Sequence, residues 1–137
     1  MKIEIKSRFD GHIIISGEYE SIKDCLQKNR GANLGYADLR GANLGGAYLR
    51  GADLGGAYLR GAKGYSESHD VFTEGVRRQP VHIFVTAEWV AIAQITIHRL
   101  CWDSIRKRFA DVMPSIFKKL ANAGFPEYLA RWEELAK

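Results

Sequence analysis

Between His98 and Arg108 the sequence gathers side chains able to bind or react: His98, Cys101, Trp102, Asp103 and the run Arg106-Lys107-Arg108. An imidazole one helical turn from an indole makes either a polar site on an aromatic wall or a histidine packed into a core. Cys101 and His98 have the composition of a nucleophile and its base. However, an i, i+3 spacing on a helix rarely gives them working geometry, and no oxyanion motif follows. The basic run suits a phosphate or an acidic partner, and equally a solvated helix face. With Trp89 added, the candidate binding set is Trp89, His98, Trp102, Arg106, Lys107 and Arg108, which offers stacking and charge to a nucleotide-like anion. No catalytic residue, metal or cofactor is assigned. His12, His69, His82 and His98 lack metal-ligand spacing, and the glycines follow neither the Walker nor the dinucleotide pattern.

These residues sit in a stretch that reads as helical. Ser68 caps a helix from His69 to about Arg78, which Pro80 stops. Val81 to Val85 reads as extended. Thr86 then caps a long apolar helix on which Ile95, His98, Trp102, Ile105 and Phe109 share one face. Asp111 caps a further helix with Pro114 in its first turn and Ile116, Phe117 and Leu120 inward. Gly124 ends it, and Pro126 opens a last helix carrying Leu129, Trp132 and Leu135.

The middle of the chain has a different periodicity. Leucine recurs every five residues at Leu34, Leu39, Leu44, Leu49, Leu54 and Leu59. Alanine recurs two places earlier, at Ala32, Ala37, Ala42, Ala47, Ala52 and Ala57, and once more at Ala62. A seventh repeat fails, with Gly64 where leucine is due. A period of five fits neither a helix nor a flat strand. It suits a square coil in which each pentapeptide makes one side, with leucine filling the bore and alanine beside it. Asn33, Asp38, Asn43 and Asp53 favour turns through their own backbone, and the repeat glycines tolerate positive φ.

Ala-Asn-Leu-Gly-Tyr, Ala-Asp-Leu-Arg-Gly and Ala-Asn-Leu-Gly-Gly resemble pentapeptide repeat proteins. The resemblance implies a right-handed quadrilateral β-helix with four repeats per coil. Leu34 then lies under Leu54, Leu39 under Leu59 and Arg40 near Arg60, while Tyr48 and Tyr58 face opposite ways. The tract makes fewer than two coils, a stub about 10 Å tall that needs caps. At the other end of the chain, Lys2 to Phe9 alternates as a strand, Asp10-Gly11 marks a hairpin, and His12 to Ser16 forms its second strand. Ser21 caps a short helix, Ile22 to Lys28, with Ile22 and Leu26 inward.

The expected fold is therefore α+β. An N-terminal hairpin and helix cap (1–30) precedes a short quadrilateral β-helix (31–65), and a C-terminal helical bundle (66–137) closes the other end. The resemblance also implies a non-catalytic protein-binding module, of the kind phage encode to inhibit a host enzyme or defence system. It would act in the bacterial cytoplasm and pair as a homodimer through the C-terminal helices. Sequestration of a small anion by those helices is an alternative. A gyrase-binding DNA mimic, which some family members form, fits poorly, because residues 31–65 carry four basic and two acidic side chains.

Composition agrees with a folded, soluble chain. Its 137 residues are 46% hydrophobic, and the formal charge of +4 is spread without a block of one sign, so nucleic acid is not the expected partner. Cys25 and Cys101 read as free thiols. Neither a signal-peptide run nor the roughly 18 apolar residues of a membrane span is present.

Overall fold

The computed structural model describes residues 1–137. The chain forms two compact units, Met1–Tyr65 and Ser66–Lys137.

In the first unit, strands β1 (Lys2–Lys6) and β2 (Ile13–Glu18) pair antiparallel, with Ile5 opposite Ile15 and a register irregularity between Ile5 and Lys6. The turn between them uses Gly11 at φ 73° and the Asp10 carboxylate, which accepts the His12 N–H at 3.0 Å. Helix α1 (Ile22–Lys28) starts where Ser21 places its hydroxyl 3.1 Å from the Asp24 N–H, satisfying one of the donors a helix start leaves over. Cys25 and Leu26 are buried on its inner face, while Ile22 is only half-buried.

The repeat tract follows. At every corner the Ala N–H bonds the carbonyl of the leucine three residues back, from Ala37 to Leu34 at 3.0 Å through to Ala62 to Leu59 at 2.9 Å. The third residue of each such turn has positive φ, the geometry of a type II turn. Between corners, isolated parallel bridges join Asn33 to Asp53, Asp38 to Tyr58 and Asn43 to Lys63. Each bridge spans 20 residues, so four repeats complete a turn and successive turns stack. All six repeat leucines are buried, from Leu34 at 0% exposure to Leu59 at 7%. At about 2 kcal/mol per buried leucine they are the main source of the tract's stability.

The alanine row behaves differently from the expectation. Ala37, Ala57 and Ala62 are buried, but Ala32, Ala42, Ala47 and Ala52 are half-exposed. Alanine is the closing residue of each turn, and the methyls of Ala37 and Ala57 are covered on a side that a neighbouring segment backs. Such a segment exists on one side: Ser7 bridges antiparallel to Ala37, the Asp38 N–H bonds Lys6 O at 2.7 Å, and the Arg8 N–H bonds Tyr36 O at 2.7 Å. That side has three layers, contributed by 6–8, 36–38 and 57–58.

The second unit is helical. Helix α2 (His69–Arg77) has Ser68 as its cap, with the Val71 N–H bonded to the Ser68 hydroxyl at 3.1 Å. Val81–Ile83 is a short 3-10 turn and not extended, because Pro80 presets its first φ and the Ile83 N–H closes back on Pro80 O at 3.1 Å. Helices α3 (Thr86–Thr96), α4 (Trp102–Arg108), α5 (Met113–Asn122) and α6 (Glu127–Leu135) complete it.

Four further expectations are corrected here. The long helix through Phe109 is two helices, α3 and α4. Arg99 takes φ 49°, a left-handed position that a continuous helix does not tolerate, and its guanidinium holds the Asp70 carboxylate at 2.7 and 3.2 Å. The start of α3 is stabilised not by Thr86 but by Glu88, whose Oε1 accepts the Val85 N–H at 2.9 Å. On α6 the buried anchor is Tyr128 at 1% exposure, whose hydroxyl donates to Ser68 O at 2.6 Å; Leu135 is 46% exposed. Asp111 lies in the turn before α5, whose first residue is Met113.

Tyr128 belongs to an aromatic cluster with Phe72, Trp102 and Phe117, at centroid separations of 5.5 to 6.4 Å. This cluster is the centre of the helical core. No helix is long and apolar enough to cross a membrane.

Candidate interaction surface

The six residues singled out for binding have different settings in the helical unit. The break at Arg99 removes the shared helix face that placed His98 beside Trp102. His98 is exposed in the connecting segment. Trp102 is 5% exposed and works in the core, its indole N–H donating to Glu67 O at 2.7 Å and its ring 4.9 Å from the His69 ring. Trp89 packs edge-on to Phe84 at 5.2 Å and lines a shallow cleft with Val76 and Ile92. Arg106 lines a different hollow beside Trp132 and pairs with Asp103 at 3.0 Å. Lys107 and Arg108 are exposed on α4. Trp89 and Arg106 thus line two separate hollows, neither of which includes His98 or Trp102.

The two thiols stand in opposite settings. Cys25 is buried, and burial pushes its pKa up. Cys101 is exposed with its Sγ 3.2 Å from the Ser104 hydroxyl, and hydrogen bonds that the Ser104 hydroxyl and backbone N–H offer its thiolate lower its pKa. Its relation to His98 is that of two exposed loop residues, not of a base on the same helix turn.

One buried ion pair organises the helical unit. Glu88 is 2% exposed and lies 2.6 Å from Lys119 Nζ on α5. Burial raises the Glu88 pKa, but hydrogen bonds from Lys119, the Val85 N–H and Ser115 outweigh it and hold the carboxyl below its ordinary 4.5. Its Oε2 has no hydrogen-bond partner, so Lys119 is the group that makes this burial tolerable.

Several outward side chains touch one another on the three-layered side of the coil. Arg8 leaves the N-terminal strand and lays its guanidinium 3.3 Å from the Tyr58 ring centroid while Nη1 donates to Gly56 O at 2.8 Å. Arg40 approaches the same ring at 5.2 Å and binds Asp38 through two nitrogens, at 2.9 and 2.8 Å. That bond lowers the Asp38 pKa and raises that of Arg40. Arg60 repeats the position of Arg40 one turn on, its carbonyl accepting the Gly41 N–H at 3.0 Å. At the corner of this side, the Phe9 and Tyr36 rings meet at 5.2 Å between centroids, tilted by 44°, and they are 72% and 54% exposed.

Tyr36 departs from its column. The equivalent corner residue is glycine at 31, 41, 46, 51, 56 and 61, each with φ between 69° and 80°. Tyr36 adopts φ 60° with a full side chain, which costs on the order of 1 kcal/mol or more. Its ring lies over Gly56, where any side chain would overlap it. Sequence reasoning passed over Arg8, Phe9, Tyr36 and Tyr58. The available signal was the one tyrosine in an otherwise unbroken glycine column.

Compared with known proteins, residues 30–63 match a family model described as pentapeptide repeats, in eight copies. No curated protein and no solved structure matches the chain.

Proposed function

We propose that this chain, a member of the pentapeptide repeat family through residues 30–63, is a non-catalytic protein-binding module whose coil is right-handed and four-sided. The observation that carries the reading is the division of labour within each repeat. Leucine is buried in all six copies, while the position before it varies among Asn33, Asp38, Asn43, Tyr48, Asp53 and Tyr58. A scaffold that fixes its inner residue and leaves its outer one open presents side chains at set spacings, which suits recognition of a surface.

Within this reading the target is a bacterial enzyme or defence protein, and the chain is a phage-encoded inhibitor acting in the host cytoplasm. Pairing through the C-terminal helices is supported by Val85, Val90 and Ile97, which are 59%, 54% and 71% exposed. Affinity capture with the full tagged chain in bacterial lysates, followed by native mass spectrometry, tests the reading. A discrete complex of fixed stoichiometry with one host protein is expected. Failure to retain any protein from any lysate would remove it.

A further inference from the structure

We infer that the corner built by Arg30 and Arg50, with Lys23 and Tyr48 beside it, is a cationic docking edge for an extended acidic segment of the protein partner. The inference rests on the protein-binding reading and names the surface and the partner chemistry for it.

The fold brings these residues together. The Ala32 N–H bonds Asn29 O at 3.2 Å and the Ala52 N–H bonds Leu49 O at 3.0 Å, so Arg30 and Arg50 hold the same position in two turns. Those turns lie in adjacent layers: a methyl on Gly51 would be 4.0 Å from Gly31 Cα, and the Asp53 N–H bonds Ala32 O at 3.1 Å. Both arginines are exposed, and their backbones are one layer apart, about 4.8 Å. The Arg30 guanidinium carbon stands 4.5 Å from the Tyr48 ring centroid, and Tyr48 is 38% exposed. Lys23 on α1 reaches the other end of the same side of the coil. It lies over Gly46, where a methyl would meet its Cε at 3.1 Å and its Nζ at 3.2 Å.

Charge sets this corner apart. At the opposite corner Arg40 and Arg60 have Asp38, which binds Arg40 through both oxygens. Arg40 has that aspartate two residues before it; in the same place Arg50 has Tyr48 and Arg30 has Lys28. Lys23, Arg30 and Arg50 make no ion pair. The carboxylates nearest in the chain are committed elsewhere. Asp24 accepts the Glu20 N–H at 3.0 Å and pairs with Lys28 at 3.3 Å, and Asp53 accepts the Gly55 N–H at 2.8 Å. Glu20 stands exposed ahead of the cap of α1 and pairs with none of the three cations. Like charges in adjacent layers repel, and an anion placed between them turns that repulsion into charge-assisted hydrogen bonds.

The spacing selects the occupant. From Gly46 to Arg50 the side is no longer than about 14 Å. An extended segment sets alternate side chains on one face about 6.7 Å apart, so carboxylates at i, i+2 and i+4 match the reach from Lys23 past Arg30 to Arg50. A guanidinium takes a carboxylate through two parallel bonds, which adds direction to the attraction. Nucleic acid also offers anions. However, Tyr48 already carries a guanidinium on its ring and gives no open platform for a base, and three cations are few for a phosphate track.

The test uses the full chain and three fluorescein-labelled probes: a peptide repeating Glu-Thr, the same peptide with glutamine for glutamate, and an oligothymidylate of equal charge. At low ionic strength the acidic peptide is expected to bind at least tenfold more tightly than either of the others. Arg30→Gln with Arg50→Gln should weaken it at least tenfold, and Lys23→Gln about threefold. Arg60→Glu makes the same total change of charge at the opposite corner and should leave binding within twofold. Circular dichroism melting checks that each variant stays folded. Should the paired glutamine variant unfold, Arg50→Lys, which keeps the charge and loses the two-bond grip, is expected to weaken binding at least threefold. Equal binding of the acidic and glutamine peptides overturns the inference. So does a loss with Arg60→Glu as large as with the paired variant, because the attraction is then diffuse. Tighter binding of the oligonucleotide overturns it in favour of a nucleic-acid surface. If the peptide results fail while lysate capture still yields a discrete complex, the protein-binding reading stands and only this corner is wrong.

Discussion

The Leu34 N–H lies 2.8 Å from the Asp53 carbonyl, and the Asp53 N–H returns to Ala32 O at 3.1 Å, so two residues nineteen apart are locked in adjacent layers. The same exchange recurs at Leu39 with Tyr58 O (2.9 Å) and Leu44 with Lys63 O (2.7 Å). Because leucine supplies the large side chains buried in the bore and only small alanines accompany it, removing one leaves a void that its neighbours cannot close. Leu34→Ala is expected to cost about 3 kcal/mol in urea unfolding, with Leu54→Ala similar. A cost below about 1 kcal/mol for both would mean that the ladder is not the core.

Gly64 breaks the repeat for a steric reason. It has φ 79°, and a Cβ there would lie 2.6 Å from Gly45 N and 2.8 Å from Asn43 Oδ1. Gly64→Ala should therefore cost well over the ~1 kcal/mol of a positive-φ alanine alone. Gly11→Ala, at φ 73° with open space around it, should cost only about that 1 kcal/mol. Equal losses for the two, measured by thermal melting, would contradict the close approach at Gly64.

The Glu88–Lys119 pair gives the helical unit an acid sensitivity. The folded-state pKa of Glu88 is lowered, so its contribution is complete above the ordinary value of 4.5 and is lost as pH falls through the lower folded value. Glu88→Gln should flatten the decline of Tm below about pH 4.5. Lys119→Met leaves the carboxylate buried without its cation and should cost about 3 kcal/mol at pH 7. A Tm for Lys119→Met equal to that of the parent would contradict the pair's role.

Thiol labelling separates the two cysteines. Cys101 is exposed with a lowered pKa and should react promptly with a disulfide reagent at neutral pH. Cys25 is buried with a raised pKa and should react only when the chain unfolds. Two thiols reacting at one rate in the native protein would be inconsistent with the burial of α1.

Much of this was legible in the residues. Six leucines at a spacing of five dictate the stacking, because no other regular backbone places every fifth side chain inward. Ser21 and Ser68 announce their helices, since a serine hydroxyl ahead of an apolar period has an orphan donor to satisfy. Other features depend on tertiary partners that a periodic pattern does not contain. The apolar run 86–109 reads as one helix until Arg99 adopts φ 49° to reach Asp70, 29 residues away in the chain. Beyond the break Trp102 opens α4 in the core, while His98 is exposed in the connection before it. The coil face was missed for a related reason. Arg8 and Phe9 come from the N-terminal strand, and only the antiparallel bridge of Ser7 to Ala37 brings them beside Tyr36 and Tyr58.

Native mass spectrometry of captured complexes, comparing the parent chain with Arg30→Gln and Arg50→Gln combined, reads the central claim in one spectrum. The account expects one discrete protein partner on the parent chain and its loss from an equally stable variant. A parent chain that emerges from every bacterial lysate with no partner bound would contradict it.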